Sequence, residues 1–315
     1  SMAFFAYNKG LPLTIRSAFY PLLGEKVWGG VGHVIDVIAV IATIFGLATS
    51  LGFGAQQATS GLNFLFGIPN TLMTQIVVIC AVTAVAIISV ARGLEGGVKL
   101  LSNVNMIIAG GLALFIVIVG NTGAIFAAMG SFFLSYVENI IPLSNWIGRD
   151  DETFYHGWTV FYWAWWISWS PFVGMFIARV SRGRTVREFI VAVLLVPTVV
   201  SLVWMSIFGG SAIEQVENGV GSLANGITDS SLAMFQMFAS LPLTSLTSFV
   251  GIILVLVFFV TSSDSGSLVI DGITAGGKTD APMIQRVFWA VLEGIIAIAL
   301  LVGGDSEALG AIQAA

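Results

Sequence analysis

Aromatic side chains are concentrated in one short apolar segment, FYWAWWISWSPFVGMF at 161–176. Five of the nine tryptophans of the chain lie in or just before it. At 100° per residue, one helical face would carry four of these side chains, namely Tyr162, Trp165, Trp166 and Trp169. A wall of π-faces with no acid among them suits a cation that cannot lose its charge by deprotonation, such as a quaternary ammonium group. The alternatives are an aromatic belt at the membrane interface or simple packing.

A second polar pattern, TSSDSGS at 261–267, lies at the end of an apolar segment. Hydroxyls and carbonyls are hard oxygen ligands that suit a desolvated sodium ion, and membrane transporters build such ion sites beside their substrates. The alternative is that the Ser and Thr hydroxyls bond back to carbonyls of their own helix. The pattern alone leaves both interpretations open.

The composition excludes an ordinary soluble domain. The chain is 57% hydrophobic and 9% charged, with a mean hydropathy of +0.97. We expect seven segments to cross a bilayer about 30 Å thick, at 30–52, 71–91, 104–129, 158–178, 189–208, 245–262 and 287–302. Short amphipathic stretches such as 11–23 and 131–141 lie between them, and no β pattern is seen. The sequence therefore predicts an all-α membrane bundle.

The basic residues predict the orientation of these spans. When the loops are assigned alternately to the two sides, eleven of the twelve Lys and Arg residues fall on one side and only Arg149 on the other. Basic loops stay on the cytoplasmic side, so the richer side is the cytoplasmic one.

Neither end of the sequence has the pattern of a complete helix or loop. Residues 1–7 lack the basic start and length of a signal peptide, and resemble the tail of a helix. The last residues, LGAIQAA, stop without a closing segment. We expect this chain to be part of a longer protein.

The segment YWAWWISWSPFVGMFIARVSRGRTVREF at 162–189 resembles the betaine/choline/carnitine transporter family. The resemblance extends to SAFYPLLGEK, IDVIAVIATIFGLATSLGFG, LSNVNM, SIFGG and FFVTSSDSGS, and so covers essentially the whole chain. It implies a secondary transporter of twelve helices with two inverted five-helix repeats, the fold first described for sodium-coupled leucine transporters. It also implies a homotrimer in the bacterial cytoplasmic (inner) membrane.

The resemblance divides the chain into three parts and gives it about seven of the family's twelve transmembrane helices. Residues 1–142 would be the C-terminal part of a truncated first repeat with an interfacial helix. Residues 143–157 would be an extracellular connection, and 158–315 a second repeat without its last helix. The interfacial stretch 131–146 is the expected trimer contact.

The resemblance assigns a substrate site on the aromatic helix. Trp165, Trp166 and Trp169 would line a cage for the substrate, and Phe176 would lie along the cytoplasmic exit. Tyr162 joins this face by geometry alone. The expected substrate is glycine betaine or choline, with carnitine, ectoine and dimethylsulfoniopropionate left open.

The resemblance also implies sodium coupling. A sodium site would use the side chains of Thr261 and Ser262 and the carbonyl of Phe258. A second sodium site in some members uses two threonines four residues apart. Thr43 matches the first of these, but Leu47 replaces the second and cannot ligate a cation, which makes that site doubtful. Proton coupling and ion-independent exchange therefore stay open.

Four arginines crowd one predicted cytoplasmic loop, at Arg179, Arg182, Arg184 and Arg187. Anchoring of the topology is a sufficient explanation. In the family these positions also take part in gating through ion pairs, for which Glu188 is a candidate partner. Contact with anionic lipid would fit the same charge.

Three residues within the spans need separate explanations. Glu293 is either a proton-coupling group or an acceptor for Ser or Thr on a neighbouring helix, and the second explanation is preferred. Asp36, near the start of its span, is expected to cap a helix or to pair with the cytoplasmic loop. Pro171 deprives the Ile167 carbonyl of its helical donor and is expected to kink the helix.

Other classes of function fit the sequence less well. An enzyme would need a nucleophile with a base, a carboxylate pair or a metal cluster, and the pattern offers none of these. Cys80 is the single cysteine, so a disulfide framework is excluded. A channel would need rings of polar pore-liners. We expect no cofactor beyond the coupling ion, and no nucleic-acid partner.

Overall fold

The computed structural model describes residues 2–93, 97, 99–145, 147–227, 229–278 and 282–303, and within them all regular secondary structure is helical. The α-helices are α1 (Met2–Lys9), α2 (Tyr20–Leu23), α3 (Gly30–Phe66), α4 (Leu72–Gly93), α5 (Lys99–Val119), α6 (Thr122–Ser144), α7 (Glu152–Phe154), α8 (Phe161–Val180), α9 (Val186–Ile190), α10 (Val196–Glu217), α11 (Ala233–Ala239), α12 (Thr244–Thr274) and α13 (Met283–Gly303). One-turn 3₁₀ segments flank α2, and π-helical turns join α7 to α8 and α9 to α10. The prediction of an all-α bundle is confirmed.

Seven helices in the described part of the chain are long and apolar enough to cross a membrane. They are α3, α4, α5, α6, the continuous stretch Val186–Glu217, α12 and α13. The chain is therefore a multi-pass membrane protein. The aromatic helix α8 is not among the seven, because tryptophan and tyrosine are less apolar than aliphatic residues.

The expected single span at 104–129 is wrong. Helix α5 ends at Val119 and a new helix begins at Thr122. Asn121 caps this second helix, since its side-chain oxygen accepts a hydrogen bond from the Ala124 N–H at 3.2 Å. The preceding Gly120 lets the chain turn between the two helices. The amphipathic stretch 131–141 accordingly lies inside α6 rather than in a separate short element.

Helices α3 and α12 form the centre of the bundle. Their 37 and 31 residues correspond to lengths of about 55 and 46 Å, well beyond the thickness of the apolar bilayer. Helix α12 packs against α3, α4, α5, α8, α11 and α13, and residues of α12 take part in all three hydrophobic clusters. Polar groups on α12 are therefore held by neighbours on several sides.

The predicted cytoplasmic residues lie together at one end of the bundle. Tyr7, Arg179, Arg182 and Gly277 line one surface cavity, which joins the N-terminal segment to the ends of α8 and α12. Arg286 at the start of α13 donates from Nε to Asp271 Oδ2 of α12 at 2.8 Å. These basic residues thus share one end of the bundle, and its assignment to the cytoplasmic side stays a prediction.

Candidate substrate and ion sites

The aromatic face of α8 is fastened to α3 through two indole N–H groups. Trp165 Nε1 donates to Ser50 Oγ at 3.2 Å, and Trp169 Nε1 donates to the Gly46 carbonyl at 2.9 Å. The two rings meet edge to face, with centroids 6.1 Å apart. The polar edges of both rings are therefore satisfied within the bundle, which leaves their π-faces without a hydrogen-bonding role.

The close approach of α8 to α3 depends on Gly46. A Cβ added there would lie 2.7 Å from Trp169 Cδ1 and 2.9 Å from Ser168 Oγ. Gly46 and Ser50 are four residues apart, and small residues at this spacing let membrane helices approach closely.

The four residues of the predicted face do not have equal surroundings. Tyr162 contacts Trp165 at a centroid distance of 5.8 Å and stacks on Trp158 at 6.1 Å. Trp166, on the same face, is 74% exposed. Trp163, which lies off that face, is 64% exposed. The structure thus groups Tyr162, Trp165 and Trp169 and leaves Trp166 at the open edge of the cluster.

Phe176 extends the same ladder of rings toward the cytoplasmic end. Trp169 meets Phe172 at 5.3 Å, and Phe172 meets Phe176 at 6.3 Å. Phe176 is only partly buried. Its role along an exit path stays a prediction.

Pro171 lies within α8 without ending the helix. The Ile167 carbonyl, which loses its helical N–H donor, accepts the Ser170 hydroxyl at 2.8 Å. Side chains of Ser commonly repair the backbone around an intramembrane proline in this way.

The three predicted sodium ligands are close together on α12. The hydroxyls of Thr261 and Ser262 both donate to the Phe258 carbonyl, at 2.8 and 3.0 Å. This is the back-bonding alternative, and it also gathers three hard oxygen atoms at one point of the helix. The donor set fits a sodium ion in its chemistry, provided that the two hydroxyls turn away from the carbonyl.

The doubtful second sodium site is occupied by protein atoms. Thr43 is buried and donates its hydroxyl to the Ala39 carbonyl at 2.7 Å. Leu47, one turn later, points its methyl groups at Gly266 of α12, where an added Cβ would lie 2.2 Å from Leu47 Cδ1. Leu47 therefore serves the packing of α3 on α12.

Three further polar residues of TSSDSGS, Ser263, Asp264 and Ser267, bond to neighbouring helices. Asp264 accepts the hydroxyl of Ser89 on α4. Glu293 of α13 accepts Ser263 Oγ at 2.8 Å and Ser267 Oγ at 3.1 Å. The prediction that Glu293 bonds to hydroxyls on a neighbouring helix is confirmed.

The arginine loop follows α8 directly. The Arg182 guanidinium lies over the Tyr7 ring at 5.9 Å. Glu188, the predicted ion-pair partner, instead forms a capping box with Thr185, whose N–H and hydroxyl both bond to Glu188 Oε2 at 2.9 and 3.0 Å. Arg184 and Arg187 are exposed. The gating role of the loop stays a prediction.

Asp36 forms the expected link to the cytoplasmic stretch. Its carboxylate accepts the Arg16 backbone N–H at 3.0 Å and pairs with the Arg16 guanidinium. The start of α3 is thereby joined to the short helical turns that precede it.

On the opposite side of the bundle, Arg149 forms an ion pair with Asp151, two residues later. The guanidinium also donates to the Leu143 carbonyl at 2.9 Å. Hydrogen bonding by Arg149 lowers the pKa of the Asp151 carboxyl.

A sequence model of the betaine/carnitine/choline family of transporters matches residues 1–315. The chain belongs to this family. The members of this family are membrane transporters. The prediction that the protein is not an enzyme is therefore confirmed.

Several curated members of the family are close relatives. Glycine betaine transporter 1 of Vibrio parahaemolyticus is 65% identical over 100% of this chain and 60% of its own length. A glycine betaine/proline/choline/ectoine transporter of the same organism is 62% identical over 99% of the chain and 56% of its own length. The glycine betaine transporter OpuD of Bacillus subtilis is 43% identical over 98% of the chain and 60% of its own length. The chain thus spans a little over half the length of these family members.

Sequence reasoning missed the partners of the aromatic helix on α3. These are Gly46 and Ser50, described above, and Phe53, whose ring lies 6.1 Å from that of Trp165. The GxxxS spacing of the first two was a usable signal. Ser89, the partner of Asp264, had no comparable signal, because an isolated serine in an apolar span looks like many others.

Proposed function

We propose that this chain forms part of a secondary transporter that takes up a quaternary-ammonium osmolyte, such as glycine betaine or choline, by alternating access. The relatives named for these substrates support the substrate class. The observation that carries the proposal is the ring cluster of α8, whose indole N–H groups are used by α3. The ring faces left over attract a cation without needing to remove a proton from it.

The cage would hold the cation on Trp165, Trp166, Trp169 and Tyr162. Each cation–π contact contributes about 0.5–2 kcal/mol when it is desolvated. Trp166, exposed in this chain, would complete the cage together with parts of the transporter beyond it. Trp165 and Trp169, which are bonded to α3, would form a fixed wall of the cage. The exposed Trp166 would belong to a second wall that closes on the substrate.

We propose sodium as the co-transported ion, held by Thr261, Ser262 and the Phe258 carbonyl. Both hydroxyl oxygens are already within hydrogen-bond distance of the Phe258 carbonyl oxygen. A single such site per protein is favoured, since Leu47 packs where a second hydroxyl would be needed. That observation also keeps proton coupling, or exchange without ions, as the second candidate.

We further propose a homotrimer in the bacterial inner membrane. The predicted contact 131–146 lies mostly on α6, where Tyr136 and Ile141 are 61% and 79% exposed; Trp146 is outside the described residues. The exposed arginines Arg184 and Arg187 would meet anionic lipid head groups at the cytoplasmic surface. Disulfide crosslinking of a Tyr136→Cys variant in a Cys80→Ala background would produce covalent dimers if α6 forms the contact, because each cysteine pairs only once, and only monomers otherwise.

The deciding experiment uses a full-length transporter that contains this chain, reconstituted in proteoliposomes. Uptake of labelled glycine betaine is measured first with a sodium gradient and then with a proton gradient only. Sodium-driven uptake is the expected result. Uptake driven only by protons would preserve the substrate class and refute the sodium site. If no uptake of glycine betaine, choline or carnitine occurs under either gradient, the proposal is wrong.

A further inference from the structure

The polar turn of α12 at 261–267 is held on three sides by three different helices. Leu47 of α3 packs on Gly266, and Ser89 of α4 bonds to Asp264. Glu293 of α13 accepts the hydroxyls of Ser263 and Ser267. The turn that carries the proposed ion ligands is therefore oriented by its neighbours and not by helix propensity alone.

Glu293 makes the most unusual of these three contacts. It lies at the middle of α13 and is 1% exposed, and each of its carboxyl oxygens accepts one serine hydroxyl. Asp264 of α12 is near enough to act on it electrostatically. None of the three ion pairs within the described ranges includes Glu293.

Burial of this acid is costly, because a carboxyl group in an apolar interior loses its hydration. Replacing the acid together with its two serine partners by apolar groups of the same shape can be nearly neutral for stability. Stability alone therefore does not explain a glutamate here. The two directed hydrogen bonds that Glu293 accepts from α12 do explain why an acid lies here.

Glu293 also changes the acceptor to which serine hydroxyls of α12 donate. On this helix, Thr261 and Ser262 donate to a carbonyl of their own helix, and Thr274 does the same. Ser263 and Ser267 donate across to α13 instead. The cross-helix bonds thus set the rotation of α12 relative to α13.

That rotation decides where the proposed ion ligands point. Ser263 and Ser267 lie about 40° apart around α12, because successive residues are about 100° apart. Thr261 and Ser262 lie about 120–140° from the direction of Glu293 on the same wheel. When the Glu293 carboxyl binds Ser263 and Ser267, Thr261 and Ser262 therefore face away from α13.

We propose that Glu293 is a positioning residue for the ion site, which it orients through Ser263 and Ser267 without touching the ion. This inference rests on the proposed function, in which Thr261 and Ser262 bind sodium. It assigns a role to a buried acid that is separate from proton transport.

The test compares four variants of a full-length transporter containing this chain: Glu293→Gln, Glu293→Leu, the double variant Ser263→Ala/Ser267→Ala, and Ser206→Ala. Ser206→Ala is the matched control, since Ser206 is a buried serine that donates only to the Leu202 carbonyl of its own helix. The half-saturating sodium concentration and the KM for glycine betaine are measured separately.

We expect Glu293→Leu and the double serine variant to raise the half-saturating sodium concentration roughly tenfold, the usual effect of losing an outer-shell partner of an ion site. The KM at saturating sodium should stay within about twofold, because the aromatic face of α8 is untouched. Glu293→Gln should behave like the wild type, since an amide can accept from one serine and donate to the other.

A second measurement does not depend on transport. The rate of thiol labelling at a Ser262→Cys substitution is followed in sodium-free buffer, with Glu293 and with Glu293→Leu. We expect the rate to change severalfold if α12 rotates. This measurement remains informative if Glu293→Leu transports too slowly for kinetics.

The outcomes separate the two proposals. If the sodium dependence and the labelling rate are both unchanged in Glu293→Leu, the positioning role is wrong. If Glu293→Gln is as defective as Glu293→Leu, the negative charge and not the hydrogen bonding matters, which also overturns it. If wild-type uptake itself ignores sodium, the proposed sodium site is wrong and the positioning role falls with it, whereas the proposed transport of an osmolyte stands.

Discussion

The indole nitrogen of Trp169 donates to the main-chain carbonyl of Gly46, 2.9 Å away on a different helix. This bond exists because Gly46 has no side chain to keep the ring at a distance. The position of the central tryptophan therefore depends on a glycine more than one hundred residues earlier in the chain. A fixed ring is a better partner for a cation than a mobile one, since less conformational entropy is lost on binding.

Gly46→Ala should weaken substrate binding by moving Trp169. The new methyl group would lie 2.7 Å from Trp169 Cδ1, so the ring must shift and its bond to the carbonyl must lengthen. We expect the Kd for glycine betaine, measured by quenching of tryptophan fluorescence, to rise by up to about thirtyfold, which corresponds to loss of a cation–π contact of about 2 kcal/mol. Gly110→Ala on α5, where an added Cβ meets nothing within 4 Å, is the control and should leave the Kd unchanged.

Trp169→Leu tests the cage directly. Loss of one cation–π contact worth about 0.5–2 kcal/mol corresponds to a Kd about two- to thirtyfold higher. Trp163→Leu on the same helix removes an equally large but exposed ring and should have little effect. Equal effects of the two substitutions would indicate that α8 needs aromatic bulk in general and would remove Trp169 from the site.

Leu47 and Gly266 should behave as a coupled pair. Gly266→Ala places a methyl group 2.2 Å from Leu47 Cδ1, and such overpacking costs about 1–3 kcal/mol. Leu47→Ala leaves a cavity that costs about 2–5 kcal/mol. In the double variant each change relieves the other, so the loss in free energy of unfolding should be smaller than the sum. Denaturant titration of the four proteins measures this, and strict additivity would show that the two residues do not share a packing contact.

Ser170→Ala should destabilise α8 only while Pro171 is present. The Ser170 hydroxyl supplies the Ile167 carbonyl with the donor that proline lacks, and a hydrogen bond of this kind within a membrane contributes about 0.6 kcal/mol. In a Pro171→Ala background the helical N–H returns, so the second substitution should cost nothing. An equal loss in free energy of unfolding in both backgrounds would mean that Ser170 stabilises the helix in some other way.

The Arg149–Asp151 pair should be sensitive to acid. Because Arg149 lowers the pKa of the Asp151 carboxyl, the ion pair is complete above the ordinary pKa of an aspartate and is lost as the pH falls through the lowered value. Arg149→Gln should move the carboxyl pKa back upward, as measured by NMR titration of protein labelled with ¹³C-aspartate. An unchanged titration curve would assign the low value to the local backbone instead.

The chemistry of the aromatic helix was predictable from the sequence, because four large rings at helical spacing can share a face only on a helix. The proposed sodium ligands rest only on the family resemblance, since the back-bonding seen for Thr261 and Ser262 fits the hydroxyl pattern equally well. The break at Gly120 and Asn121 was not foreseen. Both flanking segments are apolar, and a single capping side chain separates them.

The sequence by itself determined the membrane setting and the helix that carries the aromatic face, and it predicts the orientation of the spans. These properties follow from composition and from periodicity along one helix. Only the tertiary structure decided that Trp169 bonds to Gly46, that Leu47 packs on Gly266 and that Glu293 takes the hydroxyls of Ser263 and Ser267. Each of these contacts depends on how far one helix is rotated and advanced against another. That geometry is set by the packing of the whole bundle and leaves no periodic trace in any single segment.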